Sequence, residues 1–232
     1  MGSGLTKPSN SNMVDRLVEN NSYIDTPEVE SAFRAVDRAF YYLIEPDSEP
    51  VDPYEDDPWR SGNLHLSAPA IYAKVVQALD FKPGMSFLNM GSGTGYLNTI
   101  VGLLVGPNGL NHGIEIHADV IEYAYNKLDE FKQSSYALDK FEFCEPIFIK
   151  GNCLNLNLTK NYRYDRVYLG AACLPEMELF MKRLVKPNGG ILVMPLEGHL
   201  MRHTRLTETE WKSEKLLNVD FTLMIWPRRI NR

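Results

Sequence analysis

Cysteine is scarce in this sequence: three residues in 232, Cys144, Cys153 and Cys173. No two sit at C-x-x-C spacing, so neither a disulfide framework nor a common zinc pattern is read. Reduced, buried thiols in a reducing, cytoplasmic compartment are the expectation. No stretch approaches the roughly 20 apolar residues of a membrane-spanning helix. The first dozen residues are polar and carry no secretory signal. Long Lys/Arg runs are also missing, and the formal net charge is -6. Such a chain is no natural partner for a phosphate backbone, so no nucleic-acid partner is expected. Glu197, His199 and His203 run E-x-H-x-x-x-H rather than H-E-x-x-H, and no metal site is read.

What remains is an ordinary globular composition, 44% hydrophobic and 23% charged. The expected layout is a disordered Ser/Asn/Gly-rich segment over 1–12, one domain over 13–226 and a basic tail over 227–232. Met1-Gly2-Ser3-Gly4-Leu5-Thr6 fits the N-myristoylation pattern at Gly2. A single acyl chain would give only weak membrane contact. The N-x-[ST] triplets at Asn20 and Asn157 are read as chance matches.

Two short helices are expected first, the second opening with Thr26 as cap and Pro27 at its first position. Residues 45–57 hold seven carboxylates and three prolines with no Lys or Arg, which excludes a helix interior or a central strand. This segment is expected to be a solvated loop. If it lined a site mouth, it would repel anionic substrates. From residue 68 helices and strands alternate. Helices are expected at 68–80, 96–105, 118–132 and 176–186, and strands at 85–90, 109–116, 147–150, 166–169 and 190–194. That repetition argues an α/β, doubly wound, mostly parallel sheet. The tail, 199–226, reads as strands plus a short helix.

The stretch Phe87-Leu88-Asn89-Met90-Gly91-Ser92-Gly93-Thr94-Gly95-Tyr96 carries the most information. An apolar strand runs into glycines and then a helix. The glycines permit a tight turn and close ligand approach, and the helix N-terminus presents free N–H groups. Tyr96 stands where a dinucleotide fingerprint needs Gly or Ala, which disfavours a nicotinamide enzyme. Glu115 closes the next strand, 20 residues after Gly95, where an acid can accept from a ribose diol.

Leu66-Ser67-Ala68-Pro69, the glycine turn, Gly113-Ile114-Glu115, Tyr164-Asp165-Arg166-Val167, Gly170-Ala171-Ala172 and Gly189-Gly190-Ile191-Leu192-Val193-Met194-Pro195 resemble, in order and spacing, protein-L-isoaspartate O-methyltransferases. Gly62 to Pro69, Lys140 to Pro146 and Gly151-Asn152-Cys153-Leu154 resemble the isoaspartate O-methyltransferase domain-containing subgroup most. The resemblance implies a Rossmann-like methyltransferase fold, S-adenosyl-L-methionine as cofactor and isoaspartyl peptides or proteins as substrates. It implies a cofactor site at His65, Leu66, Ser67, Asn89, Gly91, Ser92, Gly93, Glu115, Ile116, Asn152 and Cys153, with Ser67 at the reacting centre. On local sequence alone, Ser67 reads instead as a helix N-cap. Longer subgroup members carry a SOCS-box-type segment that recruits an elongin–cullin ubiquitin ligase. The second reading is therefore a non-catalytic recognition module of such a ligase. That segment is not in this sequence, so this partnership is expected only through residues outside it.

Departures from the family pattern bear on activity. Asn89 stands where the enzymes carry Asp, Asn152-Cys153 where they carry Asp-Gly, Ala70 where they carry His, and Thr222-Leu223-Met224-Ile225 where they tend to Pro-Leu-Thr. The amides keep hydrogen-bonding capacity but lose charge. The last segment helps hold substrate in the family.

Overall fold

A computed structural model describes residues 8–19, 23–43, 51–156 and 162–223. Gly2, the two sequons at Asn20 and Asn157, Glu45, Asp47, Glu49, Met224, Ile225 and the basic tail lie outside the described residues.

Two helices lead, α1 (Asn10–Glu19) and α2 (Pro27–Ala35). The first corrects the expected boundary: it starts inside the 1–12 segment, because Asn10 is buried and its amide donates to the Phe33 carbonyl at 2.9 Å. Thr26 holds the cap position of α2 but makes no capping bond. Its hydroxyl lies 3.4 Å from Gln77 Oε1 instead. A short hairpin follows, β1 (Trp59–Ser61) and β2 (Leu64–Leu66), then α3 (Pro69–Leu79).

The alternating half comprises β3 (Ser86–Met90), α4 (Tyr96–Val105), β4 (Leu110–Glu115), α5 (Ala118–Ser134), β5 (Ile147–Lys150), β6 (Arg166–Leu169), α6 (Glu178–Lys182), β7 (Gly190–Leu196), β8 (His199–Arg205) and β9 (Trp211–Asn218). One seven-stranded sheet results, in the order β5-β4-β3-β6-β7-β8-β9. The first five strands pair in parallel, and β8 and β9 close the edge antiparallel. This is the expected mostly parallel, doubly wound α/β sheet. Every residue of β3, β6 and β7 is buried. Phe87, Tyr168, Ile191 and Val193 join one apolar cluster, and Leu88, Met90, Val167, Leu169, Leu192 and Met194 join the other. Burial on both faces explains why these strands read as continuous apolar runs.

Two elements differ from expectation. The helix expected over 176–186 shrinks to α6. After it, the Leu184 carbonyl accepts from Tyr164 N, and Lys186 N donates to the Tyr164 carbonyl. These groups are taken by a bridge between Tyr164 and Val185 rather than a helical ladder. The tail forms the β8–β9 hairpin with no helix among the described residues, its turn closed by Leu206 N donating to the Glu210 carbonyl.

His203 on β8 is 2% exposed, and its Nδ1 lies 2.8 Å from Ser213 Oγ. Burial lowers its pKa from 6.5 to about 4. The unfolded chain therefore takes up a proton at a pH where the folded chain resists it. The neutral ring contributes stability fully above pH 6.5, and this is lost as pH falls towards 4. Melting temperature is expected to fall through that window, with a shallower slope for His203→Gln. Equal slopes would refute the assignment.

Candidate functional site

The strand order reverses at β3. The chain winds outward through β4 and β5, then returns to place β6 on the other flank. Diverging loops at the carboxyl ends of such neighbours leave a crevice. The structure has a cavity of about 730 Å³ there, lined by Met90 and Gly91 at the end of β3 and by Leu169, Gly170 and Ala171 at the end of β6. That volume is within the range of small-molecule and cofactor pockets.

The glycine turn forms the inner wall. Gly91, Gly93 and Gly95 all have positive φ, at 81°, 53° and 84°. A side chain at Gly93 would place its Cβ 3.1 Å from the His65 carbonyl, and one at Gly95 would meet Phe148 at 2.8 Å. The turn therefore needs glycine both for backbone shape and for close packing against β2 and β5.

Glu115 is 9% exposed and sits on the cavity wall. Its Oε1 accepts from Ile116 N at 2.7 Å and His117 N at 3.1 Å, and its Oε2 accepts from Gly93 N at 3.2 Å. Three backbone N–H groups thus fix the carboxylate between the glycine turn and the start of α5. A carboxylate offers about four acceptor sites, so capacity remains for a ligand hydroxyl.

Ser67 also lines the cavity and is 7% exposed. It is not the helix cap. Ala68 holds that position. The capping acceptor comes from the acidic loop, where Asp56 Oδ1 accepts from Ala70 N at 2.8 Å. Ser67 is held by its backbone N–H, which donates to Tyr72 Oη at 3.2 Å. His65 Nδ1 lies 3.1 Å from the Trp59 carbonyl, which can only accept, so Nδ1 carries the hydrogen and Nε2 the lone pair. Burial, then the nearby Arg60 charge, holds the His65 pKa below its usual value.

Of the residues expected at the cofactor site, His65, Ser67, Gly91, Glu115, Ile116, Asn152 and Cys153 share this one cavity. The structure does not put the other four on its wall. Leu66 is wholly buried in the core. Gly93 stands behind Glu115, and Ser92 is buried with its Oγ unpartnered. Asn89 turns away into the interior, where its Nδ2 donates to Asn98 Oδ1 at 2.7 Å and Asn98 Nδ2 donates to Asn111 Oδ1 at 2.8 Å. Asn89, Asn98 and Asn111 thus form a buried chain of amides. Asn152 Oδ1 accepts from Leu154 N at 2.9 Å. Burial pushes the Cys153 thiol up to about 11.

Sequence reasoning missed Arg60, Ile71 and the run Asn218–Phe221 as cavity walls. Thr222 and Leu223, expected near substrate, do line it. None of the described acidic-loop carboxylates, Asp52, Glu55, Asp56 and Asp57, is on the wall.

The doubly wound sheet, the glycine turn and the strand-end acid in one crevice define the class: an α/β domain of the S-adenosylmethionine-dependent methyltransferase type. The model of the protein-L-isoaspartate (D-aspartate) O-methyltransferase family matches residues 8–225, and the chain belongs to that family. It is similar to protein-L-isoaspartate O-methyltransferase 1 of Arabidopsis thaliana, 29% identical over 209 residues covering 86% of this chain and 82% of the relative. The Caenorhabditis elegans protein-L-isoaspartate O-methyltransferase is 29% identical over 192 residues, covering 82% and 78%. In fold it is similar to a Plasmodium falciparum protein described as a protein-L-isoaspartate O-methyltransferase and solved with S-adenosyl-L-homocysteine. That match has a TM-score of 0.70 at 23% identity and covers 94% of this chain and 99% of the other.

Proposed function

We propose that this chain binds S-adenosyl-L-methionine and methylates the carboxylate of isoaspartyl residues in damaged proteins. The observation that carries this reading is the convergence of Ser67, His65 and Glu115 on one switch-point cavity in a chain of this family. The residues present fit the cofactor. Gly91 leaves the inner wall free of a Cβ, and Glu115 holds a fixed acceptor for a sugar hydroxyl.

When bound, S-adenosyl-L-methionine would supply an electrophilic methyl group to an ionised carboxylate, a transfer that would leave the S–C electron pair on sulfur and move no proton. The chain therefore needs no general base, and its residues position the reactants and exclude water. Ile71, Met90 and Leu169 give the cavity apolar walls. In this reading Ser67 donates its hydroxyl to the acceptor carboxylate; its backbone N–H is held by Tyr72 Oη. The raised pKa of Cys153 keeps that thiol protonated, so it does not compete for the methyl group.

A cytoplasmic location belongs to the same reading, supported by three buried cysteines, none of them in a disulfide among the described residues. Acylation at Gly2 and ligase recruitment draw no support from the described residues.

The test is methyl ester formation on an isoaspartyl peptide beside a cofactor titration. Ester is expected with the wild type, and Ser67→Ala should reduce it by about tenfold or more. Cofactor binding without ester would overturn the proposal.

A further inference from the structure

Arg60 is a charged wall residue that the cofactor chemistry leaves without a role. It stands on β1, three residues past the acidic loop, and lines the same cavity as Ser67. Its Nη2 donates to Thr222 Oγ1 at 2.8 Å. That bond spans the gap between the β1–β2 hairpin and the segment 218–223. The segment is tied in turn to the end of β6, where Ala172 N donates to the Thr222 carbonyl at 2.9 Å. Arg60 and Thr222 are both exposed, whereas Glu115 and Met90 are buried. The cavity therefore has an inner, nucleoside end and an outer, solvent end, and Arg60 marks the outer one.

The charges on the wall make this position informative. Glu115 and Asp220 are the carboxylates on that wall, and Arg60 is the Lys or Arg among its described residues. None of the ion pairs among the described residues includes Arg60. Its known polar partner, a threonine hydroxyl, is neutral and easily exchanged. A carboxylate entering from solvent into an acidic chain would meet one guanidinium, with planar donors suited to bidentate capture.

We infer that Arg60 is the anion-recognising residue of the acceptor site, exchanging Thr222 for the carboxylate of an isoaspartyl peptide. This rests on the function proposed above and adds the residue that selects the substrate. The chemistry limits what such a contact can do. Methyl transfer consumes the negative charge of the carboxylate, so a cation beside it holds the ground state at least as well as the transition state. Arg60 therefore serves capture, and its loss falls on KM rather than kcat.

The experiment uses a fluorescein-labelled peptide with one internal isoaspartyl residue, read by anisotropy on the chain saturated with S-adenosyl-L-homocysteine. Arg60→Ala is expected to weaken peptide binding by about tenfold to a hundredfold, and Arg60→Lys by less. The same peptide as its methyl ester should bind the wild type weakly and be indifferent to Arg60→Ala. S-adenosyl-L-homocysteine affinity, measured separately, should stay near wild type, which also checks that the variant folds. Unchanged peptide affinity in Arg60→Ala would overturn the inference. So would a parallel fall in cofactor affinity, which would place Arg60 on the carboxylate of the cofactor. A wild-type chain that binds the cofactor but no isoaspartyl peptide would instead overturn the proposed function, and this inference with it.

Discussion

Glu115→Ala is expected to weaken S-adenosyl-L-homocysteine binding by about a hundredfold, because hydrogen bonds to a charged acceptor are the strong kind. Two effects act together. The ligand loses an ionised acceptor for its ribose, and the glycine turn loses the group that receives Gly93 N, Ile116 N and His117 N. Glu115→Gln separates them. Its amide oxygen can keep the bonds to Ile116 and His117, while its NH₂ would face the Gly93 N–H and lose that bond. An intermediate loss of affinity with a nearly unchanged melting temperature is expected for Gln, and a fall in both for Ala. Isothermal titration of the three proteins reads the first quantity and thermal unfolding the second. Wild-type affinity in Glu115→Ala would place the ribose elsewhere and remove the basis for the cofactor site.

The part of this site that was legible in sequence is the part built from neighbours in sequence. Met90 to Gly95 announces itself because strand, glycines and helix follow one another, and their backbone needs are local. Glu115 was legible because a strand–helix–strand unit has a nearly fixed length, which puts its acid beside the turn. What was not legible comes from distant segments meeting. Arg60 and Thr222 are 162 residues apart along the chain. The acidic loop looked like a solvated run by composition, yet Asp56 caps α3 across 14 residues. Ser67 reads as a cap because Ala68-Pro69 follows it, and the capping acceptor comes from Asp56 instead. In sequence Asn89 reads as a weakened cofactor ligand, since nothing in its neighbourhood points to Asn98 and Asn111, which draw it inward. Capping, pairing and burial of polar groups are settled by tertiary contacts, and one-dimensional patterns carry only the preference for them.

Arg38 gives the largest expected effect on stability, and no sequence pattern points to it. Its side chain is fully buried. Nε donates to the Pro53 carbonyl at 2.9 Å, and Nη2 to the Asp57 carbonyl at 3.2 Å and Tyr42 Oη at 3.3 Å. Its guanidinium lies 5.5 Å from the Tyr42 ring centroid and 5.9 Å from that of Tyr96. Carbonyls and aromatic faces thus surround Nε and Nη2, Nη1 is buried without a hydrogen-bond partner, and none of the described ion pairs includes Arg38. Arg38→Ala opens a cavity and strands two carbonyls, at a cost of about 3–4 kcal/mol. For a chain of this size that is roughly a 10 °C fall in melting temperature. Arg38→Met fills the space without a charge to desolvate and should cost less. Because Arg38 holds Pro53 and Asp57, its removal also loosens Asp56, the acceptor at the start of α3, beside Ser67. Methyl transfer in Arg38→Met should therefore fall by more than cofactor affinity does. If Arg38→Ala melts within about 2 °C of wild type, the buried guanidinium is not what holds this loop to the domain.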